Sequence, residues 1–270
     1  MNRYYQNVPR VDAGGRQHYT GLLPGQLAKG VLLPGDPHRS KVISELFLGP
    51  EFQGRRGTYA AYTGKTPGGE AVSVISSGMG CMCVANAMEE MAHLGVQTVI
   101  RVGTCGGVQP GYQPGTVVIA TGCVRGDGAS FEYAPAEFPA VADYRVVAAL
   151  HKAAKEFGEQ PVLGLYRSHD AFYMESMAAH EGLRERMQPW IDTNVQVVEN
   201  ESGTLFVMGH LLGIRTGTIC VALGSMFDDS SEAEVAYSVY QDPAYMKERI
   251  ATISKIAIRA VELLASREDK

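Results

Sequence analysis

The stretch Thr98-Val-Ile-Arg-Val-Gly-Thr-Cys-Gly-Gly107 constrains the fold more than any other part of this 270-residue sequence. Its β-favouring apolar residues break abruptly into glycines, which predicts a buried parallel strand that ends in a tight turn. Open α/β sheets bind ligands at the carboxyl ends of their strands. Arg101 lies almost at that end, where a buried charge needs an anionic partner. The pattern therefore favours an anion-binding turn, although an internal carboxylate could also pair with Arg101.

The order of apolar patterns predicts one α/β domain over residues 1–270, with a mixed central β-sheet flanked by helices. Residues 1–29 carry several glycines and prolines without periodicity, and we interpret them as an N-terminal arm. Strands are expected at 30–34, 57–64, 70–76, 98–102, 115–121, 161–167, 195–198 and 216–223. Helices are expected at 40–47, 84–94, 143–157, 174–188, 199–212 and 250–264. Residues 122–142 are expected to be irregular, and residues 226–234 to form a flap or surface loop.

Charge and composition exclude several classes of protein. A net charge of −5 without a basic run argues against nucleic acid as the main partner. No apolar stretch approaches the roughly 18 residues that span a bilayer, and residues 1–7 have no signal-peptide core. The five cysteines are odd in number and scattered, which is not the pattern of a disulfide framework or a zinc site. We therefore expect a cytoplasmic protein without a membrane or nucleic-acid partner.

A second junction between a strand and a helix lies at Gly35-Asp-Pro-His-Arg39. Pro37 suits the first helical turn, with Asp36 as the N-cap. A helix N-terminus attracts anions, and an arginine there strengthens the attraction. The junction therefore predicts a second anion-binding element, unless Arg39 is exposed without a role.

Two further junctions have more than one interpretation. Gly78-Met-Gly80 half-resembles a dinucleotide-binding fingerprint, but the third glycine is missing. It fits better as a second glycine turn whose amides face a ligand. In Glu199-Asn-Glu-Ser202, the acids could simply suit the first turn of a helix, or they could hold sugar hydroxyls.

Three motifs occur together and in order: Leu33-Pro-Gly-Asp-Pro-His-Arg39, Arg101-Val-Gly-Thr-Cys-Gly-Gly107 and Val198-Glu-Asn-Glu-Ser202. In this combination the sequence resembles the nucleoside phosphorylase family that contains bacterial purine nucleoside phosphorylase and uridine phosphorylase. Gly126-Asp-Gly-Ala-Ser130 and Glu137-Phe-Pro-Ala-Val-Ala-Asp143 are similar to the uridine phosphorylase branch. The resemblance runs from about His18 to the C-terminus and implies that family's fold.

The resemblance implies a pentosyltransferase that cleaves a nucleoside, with uridine favoured, into a free base and ribose 1-phosphate. Inorganic phosphate is then a co-substrate, and neither a metal nor an organic cofactor is expected. The family completes each site with residues from a neighbouring subunit. The resemblance therefore implies at least a homodimer, with a hexamer of such dimers as the larger alternative and the arm 1–29 at the interface.

Individual roles also follow from the resemblance. The expected catalytic residues are Arg101, Glu201 and His18. The expected phosphate ligands are Gly35, Arg39, Arg56, Arg101 and Thr104, and the expected ribose ligands are His18, Asn200 and Glu201. The expected base contacts are Cys105, Gly106, Phe172, Ser176 and Leu223. Among these residues, Arg56 and His18 are expected to act across the subunit interface.

The sequence departs from the family around the base. Ser176 and Ala178 stand where uridine phosphorylases have a Gln and an Arg, and Ala222-Leu-Gly-Ser-Met226 lacks the acid that bacterial purine phosphorylases have there. Asn200 stands in place of the usual Met. Gly57 replaces a glutamate that helps to bind a monovalent cation in uridine phosphorylases. A hydrogen-bonding group for the departing base could come from Arg125, His169, Glu175 or Ser225.

Other functions are compatible with some of the same sequence features. A purine nucleoside phosphorylase or a nucleosidase would share the fold, but nucleosidases tend to lack the phosphate arginines. A dinucleotide-dependent oxidoreductase would need the incomplete fingerprint at Gly78. A non-catalytic nucleoside-binding protein would keep the fold without base activation.

Overall fold

A computed structural model describes residues 10–176, 182–227 and 243–268, and these residues form ten strands and seven α-helices. The strands are β1 Gly30–Leu33, β2 Leu48–Arg56, β3 Tyr59–Lys65, β4 Ala71–Ile75, β5 Thr98–Gly107, β6 Val117–Gly126, β7 Ala140–Val141, β8 Val162–His169, β9 Val197–Glu199 and β10 Arg215–Ser225. The helices are α1 Pro37–Ser44, α2 Cys81–His93, α3 Ala129–Tyr133, α4 Tyr144–Glu156, α5 Leu183–Asp192, α6 Ser202–Leu212 and α7 Pro243–Glu268. Within these residues, no helix is long and apolar enough to cross a membrane.

All ten strands belong to one mixed sheet, as predicted. Its order is β10-β6-β8-β9-β5-β1-β4-β3-β2, with β7 paired to β6. The sheet also closes on itself, because β10 pairs with β5 as well as β6, and β9 pairs with β5 as well as β8. Strand β5 therefore belongs both to a closed ring of five strands and to the open arm of the sheet that continues through β1.

Helices cover both faces of the sheet because the central strands are apolar on both sides. On β1, Val31 and Leu33 belong to the core beneath α2 and α6, whereas Leu32 belongs to the core beneath α4 and α7. This alternation follows from the two-residue period of a strand. The two cores hold the carboxyl ends of β1, β5 and β9 in fixed positions.

Most predicted elements are confirmed, and their local causes are visible. Asp36 caps α1, since its carboxylate accepts from the His38 N–H at 2.8 Å and Pro37 occupies the first turn. Asp143 caps α4 in the same way, through the Arg145 N–H at 2.9 Å.

Several expected boundaries are wrong. Strand β5 does not end near Val102 in a tight turn, because it continues through the glycines to Gly107. Strand β2 was not anticipated, because Leu48–Arg56 is largely exposed and contains Pro50 and two glycines. It is the outermost strand of the sheet, where proline is tolerated. Residues 122–142 are not wholly irregular either, since they contain the end of β6, helix α3 and strand β7.

The helix expected at 174–188 starts later, at Leu183. Residues 172–174 form a single 3-10 turn, and Glu175 turns back to pair with Arg167 on β8. Residues 177–181 of that expected helix, and residues 228–234 of the expected flap, lie outside the described residues.

The described part of the N-terminal arm is fastened to α2 by a buried carboxylate. Glu90 accepts hydrogen bonds from the backbone N–H groups of Tyr19 at 2.6 Å and Thr20 at 2.7 Å. A charged acceptor makes such bonds stronger than neutral ones. Glu90 therefore fixes the segment that carries His18.

Candidate active site

Two glycine turns meet at the carboxyl ends of β1 and β4. The N–H of Ser77 donates to the Pro34 carbonyl at 2.8 Å, and the N–H of Gly78 donates to the Gly35 carbonyl at 2.9 Å. A Cβ on Gly35 would lie 3.3 Å from the Gly78 carbonyl oxygen, so a side chain there would press the turns apart. Gly78 has a φ of +83°, which favours glycine. The sequence-predicted Gly35 thus lies in a backbone-lined corner.

Register places this corner beside the central strand. Leu33 of β1 is the parallel partner of Arg101 on β5, so Gly35 and the start of α1 follow beside the part of β5 that comes directly after Arg101. Arg39, in the first turn of α1, lines a groove of about 600 Å³ together with Thr104 and Asp36. Three of the expected phosphate ligands, Gly35, Arg39 and Thr104, therefore lie around the helix N-terminus, which itself attracts anions.

Arg101 is 5% exposed and is held between two glutamates. Its Nε lies 2.8 Å from Glu199 Oε2, and its Nη2 contacts Glu201 Oε2. The alternative partner considered for Arg101, an internal carboxylate, is thus present in this structure. Gly103 makes room for the guanidinium, because a Cβ there would lie 2.9 Å from Arg101 Nη2.

The two glutamates differ in what else they hold. The Glu199 carboxylate accepts from the N–H groups of Glu201 at 3.0 Å and Ser202 at 2.9 Å, so it satisfies free donors at the start of α6. Glu201 instead accepts from the Gly80 N–H at 2.7 Å. The helix-capping explanation therefore applies to Glu199. Glu201 joins the second glycine turn to Arg101.

Electrostatics in this cluster follow from burial and from one carboxylate in excess. Burial raises the pKa of Glu201, and the neighbouring Glu199 acts in the same direction, against the lowering effect of Arg101. Burial alone would lower the pKa of Arg101, but Glu201 and Glu199 together raise it above its usual value. Arg101 therefore stays charged, and the Glu201 carboxyl has a pKa above its usual value.

Asn200 lies between the glutamates at the end of β9. Its side-chain amide donates to the backbone carbonyl of His169 at the end of β8, and its own carbonyl accepts from the Cys81 thiol at 3.2 Å. Strands β8 and β9 run in parallel here, with Ser168 opposite Glu199. Asn200 and Glu201 are therefore brought together with the ends of β8 and α2.

His18 and Arg56 lie together on the surface of the chain. Arg56 Nη1 donates to the His18 carbonyl at 2.7 Å, and both residues are exposed. The imidazole of His18 packs edge-on against Tyr19, with ring centroids 4.8 Å apart. The structure thus groups the two residues that the resemblance assigns to a neighbouring site.

The expected base contacts differ in accessibility. Phe172 is 49% exposed, with its ring edge-on to Tyr173, and Leu223 on β10 is half-buried. Gly106 is half-buried opposite Val198 of β9. Cys105 and Ser176 are buried, and burial raises the pKa of the Cys105 thiol well above its usual value. Phe172 is accordingly the one of these with a free ring surface for stacking.

Two of the four candidates for contact with the departing base are engaged elsewhere. The Arg125 guanidinium donates to the carbonyls of Ser130, Ala134, Pro135 and Phe138, which fixes the loop after β6. The Ser225 hydroxyl donates to the Gln109 carbonyl at 3.2 Å. Of the other two, Glu175 is paired with Arg167, and His169 contacts Asn200 through its backbone carbonyl.

Sequence reasoning missed several residues that build this region. Arg167 ends an apolar strand much as Arg101 does, and that signal could have identified it as a buried cation with a partner. The Ser168 hydroxyl donates to Glu199 and accepts from the Gly203 N–H at 2.8 Å. Asp127 is buried and accepts from the Ser130 N–H and the Thr204 hydroxyl, each at 2.7 Å. Nothing in the sequence distinguishes Ser168 from an ordinary strand serine.

Among the described residues, no group of three His, Cys, Asp or Glu side chains is arranged to hold a metal ion.

Comparisons with known proteins show the family to which the chain belongs. The profile of the phosphorylase superfamily matches residues 29–261, so the chain belongs to that family. It is 42% identical over 216 residues to uridine phosphorylase of Treponema pallidum (strain Nichols), covering 77% of this chain and 82% of the relative. It is 32% identical over 240 residues to guanosine phosphorylase of Halorubrum lacusprofundi, covering 89% of this chain and 95% of the relative.

A solved structure shows the same fold. Uridine phosphorylase from Vibrio fischeri ES114 superposes with a TM-score of 0.80 at 23% sequence identity, over 92% of this chain and 97% of that one. The predicted fold class, a mixed α/β sheet flanked by helices, is therefore confirmed.

The buried trio of Arg101, Glu199 and Glu201 yields a stability prediction. Arg101→Ala should lower the free energy of unfolding by about 3–5 kcal/mol at pH 8, because two buried carboxylates lose their cation. The loss should shrink as the pH falls, since Glu201 already has a raised pKa and is protonated more readily without Arg101. Urea unfolding at pH 8 and pH 5.5 measures both values.

The matched control is Arg145→Ala, which removes an exposed arginine paired with Asp143. Exposed pairs contribute about 0–1 kcal/mol, so this variant should stay within that range. A loss for Arg101→Ala that equals the control, or that grows on acidification, would contradict the buried-trio interpretation.

Proposed function

We propose that this chain is a nucleoside phosphorylase that uses inorganic phosphate to cleave uridine into uracil and ribose 1-phosphate. The observation that carries the proposal is the position of Arg101. The guanidinium is fixed on β5 against Glu201, and the same strand carries Thr104, which lines one groove with Arg39 of α1. The relatives named uridine phosphorylase give the base that we favour.

In this proposal, a phosphate dianion binds to the Gly35 amide, Arg39, Arg101 and Thr104. A phosphate oxygen forms the bond to C1′ while the bond between C1′ and the base nitrogen breaks, and the electron pair leaves with the base. The sugar carries oxocarbenium character between these events, as in glycoside cleavage generally. The arginines contribute mainly by positioning the nucleophile and neutralising its charge.

Glu201 is proposed to hold the ribose hydroxyls through charge-assisted hydrogen bonds, with Asn200 beside it. In the described structure, Glu201 is fixed by Gly80 and Arg101 on opposite oxygens. A phosphate that approaches Arg101 would therefore lie next to the carboxylate that orients the sugar. Because Arg101 and Glu201 are in contact, the binding of phosphate would affect the binding of the sugar, and the reverse.

The proposal also includes a homodimer with shared sites, in which one subunit contributes His18 and Arg56 to its partner. Its support is that both residues are exposed and adjacent in the chain described here. We propose no metal or organic cofactor, with phosphate as the co-substrate. The five cysteines are free, which supports a reducing, cytoplasmic setting.

A second candidate function is phosphorolysis of guanosine. The guanosine phosphorylase relative aligns over 95% of its length, and Ser176 stands where uridine phosphorylases recognise uracil with a Gln. A nucleosidase is disfavoured because Arg39 and Arg101 are both present. The oxidoreductase alternative is disfavoured because Gly80 donates to Glu201 rather than facing a free site for a pyrophosphate.

A nucleoside panel tests the proposal. Uracil release from uridine should require phosphate, and ribose 1-phosphate should form in equal amount. Arg39→Ala should lower kcat/KM for phosphate by about 10²-fold, because one charge-assisted contact is lost. Arg145→Ala on α4 serves as the control and should leave the rate unchanged. Base release without phosphate would indicate a nucleosidase, and faster release from guanosine than from uridine would favour the second candidate.

Mixed dimers test the shared sites. His18→Ala subunits paired with Arg39→Ala subunits should regain about half of the wild-type activity, because one of the two sites is then complete. Two differently tagged chains, coexpressed and purified through both tags, provide the sample.

The matched control pairs His18→Ala with Arg56→Ala. His18 and Arg56 belong to one surface, so every site in this dimer lacks one of the two groups and activity should not return. Equal recovery in both pairs, or recovery in neither with folded dimers, would exclude the proposed sharing.

A further inference from the structure

A second buried ionic cluster lies at the carboxyl end of β8, apart from the residues assigned to phosphate and ribose. Arg167 Nε and Nη2 donate to the two carboxylate oxygens of Glu175 at 2.7 and 2.9 Å. The Arg167 guanidinium also stacks on the Trp190 ring, 4.3 Å from its centroid. This pair fixes Glu175 beside His169, whose Nδ1 lies 4.0 Å from Glu175 Oε2.

His169 has a buried nitrogen without a hydrogen-bond partner. The residue is 3% exposed, and its Nδ1 has no partner in the structure. Buried polar atoms in proteins nearly always have partners, and an unpaired one is costly. Such an atom at a strand end, where ligands bind, indicates a group that meets a ligand.

The surroundings of His169 indicate which ligand. Its backbone carbonyl accepts from the side chain of Asn200, the residue next to Glu201. Phe172 follows three residues later with half of its surface exposed. His169 therefore adjoins an expected ribose contact through its backbone and precedes the expected stacking residue by three positions, so it belongs to the region in which we expect the base of a bound nucleoside.

We infer that the His169 imidazole, oriented by Glu175 and Arg167, hydrogen-bonds the nucleobase and stabilises it as it leaves the sugar. The inference rests on the proposed phosphorolysis. As the phosphate oxygen bonds to C1′, the electron pair of the breaking C1′–N bond moves into the base, which becomes anionic. The N–H of His169 donates a hydrogen bond to an oxygen or ring nitrogen of that base, which stabilises the negative charge that builds there.

The charge state of His169 agrees with a neutral donor. Burial lowers its pKa, and Arg167 acts in the same direction, whereas Glu175, Glu199 and the backbone of Ala171 act against them. Burial alone would raise the pKa of Glu175, but the hydrogen bonds from Arg167 keep it below its usual value. A charged Glu175 next to Nδ1 favours the tautomer that carries the proton on that nitrogen.

The His169 imidazole also supplies a hydrogen-bond donor for the base in a chain that lacks the Gln expected for that role. Ser176 replaces the Gln with which uridine phosphorylases recognise uracil, and it is buried. The imidazole of His169 offers a different donor from the preceding strand. Base recognition in this chain is then set by β8 and the turn after it.

A comparison of leaving groups tests the inference. With wild-type enzyme that accepts uridine, His169→Ala should lower kcat/KM for uridine by about 10²-fold. It should lower kcat/KM for 5-fluorouridine by less than about 10-fold, because the fluorinated base needs less stabilisation as it leaves. If guanosine is the substrate instead, 7-methylguanosine takes the place of 5-fluorouridine.

Controls separate this role from a structural one. His151→Ala, on α4, should leave both rates unchanged, and the KM for phosphate of His169→Ala should stay within a few-fold of wild type. If His169→Ala does not fold, His169→Leu decides: it fills the space without an N–H donor, and it should retain more activity with the activated nucleoside than with the ordinary one. Equal losses for both nucleosides, or no loss, would overturn the inference. A wild-type enzyme without phosphate-dependent turnover of any nucleoside would overturn the proposed function instead.

Discussion

The structure depends on the burial of one guanidinium between two carboxylates. Arg101 enters from β5, Glu199 ends β9, and Glu201 precedes α6, so one cluster joins three elements. A buried charge is stable only if its partners are held in good geometry, and here the start of α6 and the second glycine turn hold them. The proposed site at this edge of the sheet therefore forms only when β5, β9 and the start of α6 are packed together.

Closure of the five-strand ring gives the cluster its rigidity. Strand β5 pairs with β10 along most of its length, and its other partner is β1 over residues 98–101 and β9 at Gly106 and Gly107. The change of partner brings the end of β9 against the end of β5, which places the glutamates within reach of Arg101. The proposed phosphate-binding backbone and the proposed ribose-binding carboxylate are therefore neighbours because of strand pairing.

Sequence patterns located the strands well, because short apolar runs have few other interpretations, but the break into glycine does not mark the end of β5, which continues to Gly107. Gly35, Arg39, Arg101, Thr104 and Glu201 could thus be assigned to one edge of the sheet from local chemistry and motif order. The partners of Arg101 could not be predicted, since Glu199 and Glu201 are about a hundred residues away. Strand β2 was missed because an exposed edge strand shows no apolar alternation.

The sequence predicted least about the residues around the expected position of the base. His169, Glu175 and Arg167 become a group only when Glu175 folds back from the 3-10 turn, and no periodicity signals that contact. Arg125, by contrast, was a candidate for contact with the base because of its position in the sequence. Its guanidinium instead donates hydrogen bonds to backbone carbonyls of the loop that follows β6. A polar residue near a strand end is thus informative only after its hydrogen bonds are known.

The most direct measurement is a crystal structure with phosphate and a nucleoside analogue that cannot be cleaved. The account predicts phosphate oxygens within about 3 Å of the Arg101 guanidinium, the Gly35 amide and the Arg39 side chain, with the sugar hydroxyls on Glu201. A phosphate bound elsewhere, with Arg101 still held by the two glutamates alone and the sugar away from Glu201, would contradict it.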